Sequence, residues 1–393
     1  MTALPHGFDS QEFIRDPYPT YAFLRKHQPV IEIKPGHYAI MRYEDVKSAL
    51  MNFEVYVSGT SILVQQDWMP EEIKGDLFIL SMDRPKHPKY KKIVQPPFVR
   101  SAVESLRERV VAEVNGLVKN IKKDESFEVL SGFSYPLVGS VIKHLLGMER
   151  LDLEELRRRL ELRESVTQEV PSKQELAKIV GAVVEQRREF LQLIEERKRN
   201  PKEDIVTALI GAKIDHAPLE EAELLSALDL LLSGGAHTTS QVILAAVLHF
   251  SQSPEVFKLL KNDPGLIKNY IEELLRLKSP QHFVLRRTAA PISLHGFDIP
   301  ENSLVSLAVA SANRDEQWFK SPDQIDLYAD NKHHLTFGFG PHKCLGHFLA
   351  RLELEVALGA LVSNFNSFES CEEVSWTFTT MSRVIRNLPM RIR

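Results

Sequence analysis

The sequence predicts a fold that is mainly α with a minor β region, and three observations carry that prediction. Apolar residues recur at three- and four-residue steps through most of the chain between 101 and 280. Alternating segments with turn dipeptides cluster near the N-terminus and again after Pro280. No internal repeat and no Pro/Gly/Ser linker divides the 393 residues, so the elements should interleave in one domain, 1–393. Its sheet-containing part is expected from about 25–60, 283–310 and 374–393, with helices elsewhere.

In chain order, VIEI, KPG and HYAIMRY read as a short hairpin, followed by a helix from about Glu44 to near Asn52. From 101 to 163 the pattern is helical throughout, as in VESLRERVVAEVNGLVKNI and YPLVGSVIKHLLG. In VVEQRREFLQLIEERKRN, Phe190, Leu193 and Ile194 make the buried stripe, Asn200-Pro201 stops the helix, and the charged residues form a solvated face. Helical patterns resume around Pro218, a residue suited to a first turn, and break at SQSPE before PGLIKNYIEELLRLKSP. ISLHGFDIPENSLVSLAVA and VSWTFTTMSRVIRNLPMRI read as short strands, 311–343 as largely irregular, and Leu345 to Phe365 as a final helix.

Composition narrows the class. With 43% hydrophobic and 26% charged residues and no low-complexity tract, the chain is globular. A net charge of -4 gives no general attraction to nucleic acid or an anionic membrane, and the longest basic run is RPKHPKYKK at 84–92. Two cysteines, Cys344 and Cys371, exclude a disulfide framework and fit a reducing, cytoplasmic setting. The first residues lack a basic and apolar leader, so no signal peptide or membrane anchor is expected. Residues 230–254 carry no Asp, Glu, Lys or Arg, which raises a membrane span; the polar run Ser233 to Gln241 at their centre argues against one.

That run, SGGAHTTS at 233–240, is a puzzle, because each glycine costs a helix interior about 1 kcal/mol relative to alanine. A second unusual segment is FGFGPHKCLGHFLARLELEVAL at 337–358. Cys344 falls there between a glycine-rich turn and the first turn of a helix, where backbone N–H groups and the helix dipole favour a thiolate. Gly340 and Gly346 flank it, as suits a chain that bends sharply or approaches a flat group closely. A lone cysteine is ordinarily a small buried hydrophobe. That interpretation leaves the glycines, Phe337 and His342 unexplained, and zinc lacks a second ligand at suitable spacing. Cys371, in NSFESCEEVSW, has none of these features.

The spacing of Phe337, Gly340, His342, Cys344 and Gly346 resembles the haem-binding loop of the cytochrome P450 monooxygenases, with Cys344 as axial ligand to the iron of haem b. Glu273 and Arg276 in IEELLRLKSP match the family's Glu-x-x-Arg pair, and Arg314 in SANRDEQWF its partner arginine in the core behind the haem. The resemblance extends to DPYPTYAFLRKHQPV and MRYEDVKSAL, and it gives His87, His342 and an arginine of RRTAA to the haem propionates. Arg287 is favoured for the last role, with Arg286 the fallback. Lys91 stands where members commonly carry arginine, offering a point charge rather than a fork. A thiolate ligand favours O–O cleavage, and buried propionates need cations.

By the same resemblance SGGAHTTS belongs to a long helix across the haem face. Gly234, Gly235 and Ala236 fill its small positions, with Gly235 close to the cofactor, and Thr238 matches the threonine near bound dioxygen. A local opening of the helix is expected at the glycines. His237 replaces the acid usually linked to proton delivery. It is either a proton relay, since histidine titrates near neutrality, or a hydrogen-bonded core group beside water that supplies protons. Asp229 lies about 80° round the helix, so it does not substitute.

No reductase domain is attached, so the resemblance implies electrons from a separate, acidic ferredoxin-type donor docking near Lys86, Lys89, Lys92 and Lys343. The substrate is expected to be a hydrophobic small molecule touched by TSILVQQDWMPEEIKGDLFIL, residues near 165–182, HFVL after Pro280 and TTMS at 379–382. Two rivals keep the haem: a peroxygenase or rrearrangement enzyme without the usual proton relay, and a non-catalytic haem-binding or gas-sensing protein.

Overall fold

The computed structural model describes residues 4–58, 78–165, 172–378 and 381–393. Helices dominate, and their centre is a helix of 32 residues, Glu221–Gln252, about 48 Å long at 1.5 Å per residue. It is apolar on nearly every side: Leu228, Leu232, Ile243, Leu244 and Val247 are all buried. Such a helix must be surrounded by protein or lipid. Here the fold surrounds it, with Tyr135–Leu145 and His347–Asn364 among its neighbours in one core. A reciprocal cap between Glu220 and Glu223 starts the long helix, and Ser253-Pro254 ends it.

A five-stranded sheet forms the minor β region, in the order Val30–Lys34, His37–Ile40, Leu304–Leu307, Val284–Thr288, Tyr56–Val57. Leu304 lies opposite His37 in a parallel pair and opposite Arg287 in an antiparallel one, so the N-terminal hairpin and the segment after Pro280 share one sheet. Its apolar face packs on the helix Tyr43–Met51 through Ile40, Val46, Leu50, Val305 and Leu307.

Three expectations need correction. Residues 101–163 are not helical throughout: the helix Arg107–Lys119 ends at Asn120, and Ser126–Glu128 forms a strand beside Pro389–Ile392. The polar run Lys122 to Ser126 breaks the apolar period there, and Asp124 takes a left-handed φ of 65°. Pro218 does not open the long helix but closes a two-stranded hairpin, Lys213–Ile214 with Ala217–Pro218. Asp215 and His216 turn that hairpin with φ of 50° and 73°. The long helix also runs unbroken through Gly234 and Gly235 rather than opening. As expected, Phe190, Leu193 and Ile194 are buried on Lys173–Arg199, which stops at Asn200.

Candidate active site

The loop carrying Cys344 is shaped by glycines. Gly338 and Gly340 adopt φ of 68° and 72°. A Cβ on Gly340 would also come within 2.8 Å of Met51 Sδ and 3.1 Å of the Leu50 carbonyl oxygen. Only glycine therefore combines this turn with contact against the Tyr43–Met51 helix. The Cys344 N–H donates to the Phe337 carbonyl at 2.8 Å, closing the loop. Just beyond it, the Gly346 N–H donates to the Cys344 sulfur. Cys344 keeps accessible surface while lying deep among protein atoms. Burial pushes its thiol pKa up, against the Gly346 hydrogen bond and the charges of Lys91, Arg351 and Lys343. A sulfur so placed becomes a stable anion when a metal cation takes the proton's place.

Beside this loop stands a cluster of bases. His87, on the helix Lys86–Val94, is buried with its ring centroid 4.0 Å from that of His342. Ser58 Oγ lies 3.2 Å from His342 Nε2. Burial, then Arg286, His87 and Lys91, push His342 down to about 3. Burial and Lys91 push His87 down to about 4, against Asp83. Both oxygens of Asp83 already accept the Ser58 N–H, at 3.0 and 2.9 Å. So many basic groups against one engaged carboxylate fit a ligand carrying its own carboxylates, as haem does.

Arg287 does not join this cluster. Neighbouring strand residues face opposite ways, and Arg287 donates to the Asn302 carbonyl at 2.7 Å on the exposed side. Arg286, the fallback, is the buried one whose charge reaches both His87 and His342, which puts it rather than Arg287 in the cluster. Lys91 is also placed differently from expectation. Its Nζ donates to the carbonyls of Pro341 and Lys343, tying the Lys86–Val94 helix to the cysteine loop.

On the long helix, Thr238 Oγ1 donates to the Gly234 carbonyl at 3.1 Å, one turn earlier. The two glycines have different reasons. A Cβ at Gly235 would come within 2.9 Å of Ile142 on the neighbouring helix, so Gly235 permits close helix packing. A Cβ at Gly234 would meet no atom within 4 Å among the described residues beyond its own helix backbone. The close approach expected at Gly235 thus suits Gly234 better, since Gly234 shares a face with Thr238. His237 Nε2 lies 3.4 Å from Gln241 Nε2. The Gln241 amide is fixed by two bonds to Ile385, donating to its carbonyl at 3.1 Å and accepting its N–H at 2.8 Å. With that orientation Gln241 presents an N–H to His237, whose Nε2 must accept and whose own ring proton then sits on Nδ1.

Glu273 and Arg276 form a fully buried bidentate pair with both bonds at 2.8 Å. Arg276 also donates to the carbonyls of Asn313, Ser321, Pro322 and Gln324, all within 3.0 Å. Arg314 is not the third member. It pairs with Asp323 at 2.7 Å, donates to the Leu277 carbonyl and stacks 3.5 Å over Tyr18. The third side chain on Glu273 is Asn331, whose Nδ2 donates at 2.7 Å.

Sequence reasoning missed Asn331 and Gln241, which no spacing distinguishes from ordinary amides. It also missed Glu353, a buried carboxyl accepting a hydrogen bond from Thr239, and the pair Glu272 and Arg351 behind Phe337. Of the expected substrate contacts, 60–77, 166–171 and 379–380 lie outside the described residues. His282 and Phe283 are buried around Tyr21, with His282 Nδ1 3.0 Å from the Tyr21 hydroxyl, and so belong to the core.

The sequence matches the family profile described as Cytochrome P450 over residues 20–264 and 265–389. It is 32% identical to cytochrome P450 107B1 of Saccharopolyspora erythraea, covering 96% of each chain. To the cyclomarin C epoxidase CymV of Salinispora arenicola it is 33% identical, covering 88% of each. Among solved structures, P450BioI in complex with an acyl carrier protein carrying hexadec-9Z-enoic acid superposes with a TM-score of 0.89 at 27% identity, covering 97% of this chain and 100% of that one. The chain belongs to the cytochrome P450 family. It is therefore an oxidoreductase of the monooxygenase type that works with haem iron.

Proposed function

We propose that this P450 uses haem b, with Cys344 as the iron ligand, to insert one atom of dioxygen into a hydrophobic small molecule. Electrons come from a separate acidic ferredoxin-type protein, and the enzyme works in the cytoplasm. The observation that carries the reading is the meeting of His87, Arg286 and His342 beside a cysteine whose sulfur accepts a backbone N–H. When bound, the haem supplies the oxygen-activating chemistry. The chain's own residues hold it: Cys344 through sulfur, and His87, Arg286 and His342 as cations or donors toward propionates, with Lys91 bracing the loop. The Gly346 N–H tempers the sulfur's charge. Thr238 presents a hydroxyl at the position suited to dioxygen, its orientation held by Gly234. The largely apolar stretches named in the sequence fit a hydrophobic substrate, and the relative named as an epoxidase supports oxygen insertion.

His237 gives a second reading some support: a haem-thiolate enzyme driven by peroxide, because the ring's Nε2 accepts from an amide that is not an acid. Turnover with peroxide that exceeds turnover with reductase, ferredoxin and dioxygen would select it. The first reading is tested by the absorption spectrum of the reduced, carbon monoxide-bound protein. A thiolate ligand places the Soret band far to the red of a histidine-ligated haem, and Cys344→Ser abolishes that band. A wild-type spectrum without the red-shifted band overturns the assignment of Cys344.

A further inference from the structure

Glu272 and Glu273 are adjacent carboxylates with different tasks. Glu273 turns back to Arg276, whereas Glu272 reaches across to the helix His347–Asn364. There it accepts from Arg351 Nε at 2.6 Å and Nη2 at 2.8 Å. Side-chain exposures of 13% and 30% put the pair partly inside the protein, where a bidentate bond is less screened than on an open surface. Arg351 is held further by its Nη1, 3.1 Å from the His347 carbonyl and 3.2 Å from His347 Nδ1.

So fixed, the guanidinium lies 4.5 Å from the Phe337 ring centroid. Phe337 is the residue whose carbonyl accepts the Cys344 N–H. His334 completes the arrangement. Its Nδ1 accepts the Thr336 N–H at 3.3 Å, so the ring proton is on Nε2, 3.3 Å from Glu272 Oε2. That N–H points toward the carboxylate without good hydrogen-bond alignment. Burial alone would raise the Glu272 carboxyl, but Arg351 and His334 outweigh it and hold it at about 2, so it stays a carboxylate.

Resting on the assignment of Cys344 as the iron ligand, we propose that Glu272 is a positioning residue for the cysteine loop. It clamps Arg351 over the Phe337 ring, and its negative charge offsets the Arg351 charge that would otherwise act on the sulfur. Arg351 draws electron density toward itself, and Glu272 limits how far. The pair thereby sets how strongly the sulfur donates to the iron.

The test is the midpoint reduction potential of the haem-loaded, substrate-free protein, measured spectroelectrochemically at one pH. Glu272→Gln removes the offsetting charge, so its potential rises. Arg351→Gln removes the attracting charge, so its potential falls, and the double variant returns toward wild type. Thermal midpoints are recorded alongside, because a pair that merely stabilises the fold lowers these in both variants without moving the potentials in opposite directions. Unchanged potentials, or two shifts of the same sign, overturn the proposal. If Glu272→Gln fails to load haem, Arg351→Gln alone carries the test through the sign of its shift. Loss of the red-shifted carbon monoxide band in the wild-type protein would instead defeat the ligand assignment, leaving the two failures distinct.

Discussion

At the scale of single residues, Glu353 is the most unusual group in the described structure. It is 2% exposed, its Oε1 has no hydrogen-bond partner, and burial raises its pKa well above the ordinary 4.5, against the hydrogen bond from Thr239. A buried carboxyl with one unsatisfied oxygen is kept neutral because ionising it would cost more than holding its proton. Below 4.5 both folded and unfolded chains hold the proton, and Glu353 makes stability no more pH-dependent. Above that value only the folded chain does, so its contribution is lost as pH rises toward the folded pKa, by about 1.4 kcal/mol per pH unit. Glu353→Gln removes this slope. Urea unfolding of the haem-loaded protein at pH 5 and pH 7 should show the variant gaining on wild type at the higher pH. Parallel losses would mean that the carboxyl ionises freely in the fold.

At the scale of elements, the long helix shows what periodicity conveys and what it omits. Its apolar length marked it as buried, and its end at Ser253-Pro254 was legible because Pro is disfavoured beyond a first turn. The glycine pair was legible as an anomaly but not as a solution, since the reason for Gly235 is Ile142 on another helix. Likewise RRTAA offered two arginines for one role, but which of them faces inward depends on a register that slips by one residue without changing the pattern. Arg314 was misplaced because a motif gives neighbours in sequence, whereas Asn331 reaches Glu273 through the irregular stretch that follows. His237 belongs to the same class of question. Its Nε2 faces Gln241, which is itself fixed to Ile385, and this favours the core role over the relay. His237→Ala should therefore leave the ratio of product formed to electrons consumed unchanged, while losing about 1 kcal/mol of stability with the hydrogen bond. A marked rise in uncoupled peroxide release would restore the relay.

At the scale of the whole molecule, strands from residues 37–40 and 304–307 pair directly, which supports the proposal that the chain folds as one unit. That interleaving also brings segments distant in sequence to the face around Cys344. Lys91 joins the Lys86–Val94 helix to the cysteine loop, and Lys86, Lys92 and Lys343 on these two segments are exposed. Lys89 is different, because Asp215 of the hairpin Lys213–Pro218 lies 2.5 Å from its Nζ. The proposed acidic electron donor would meet a charge already partly cancelled at Lys89, whereas no ion pair to Lys343 is formed among the described residues. Reversal of Lys343 to Glu should slow association with a ferredoxin more than reversal of Lys89, which also leaves Asp215 unpaired. Raising ionic strength from about 0.05 to about 0.5 M shortens the Debye length to a few ångströms, so association should slow steeply for wild type and less for Lys343→Glu. Stopped-flow reduction rates against salt concentration measure both effects. A rate independent of salt, or equal effects of the two reversals, would place electron entry on a surface other than this one.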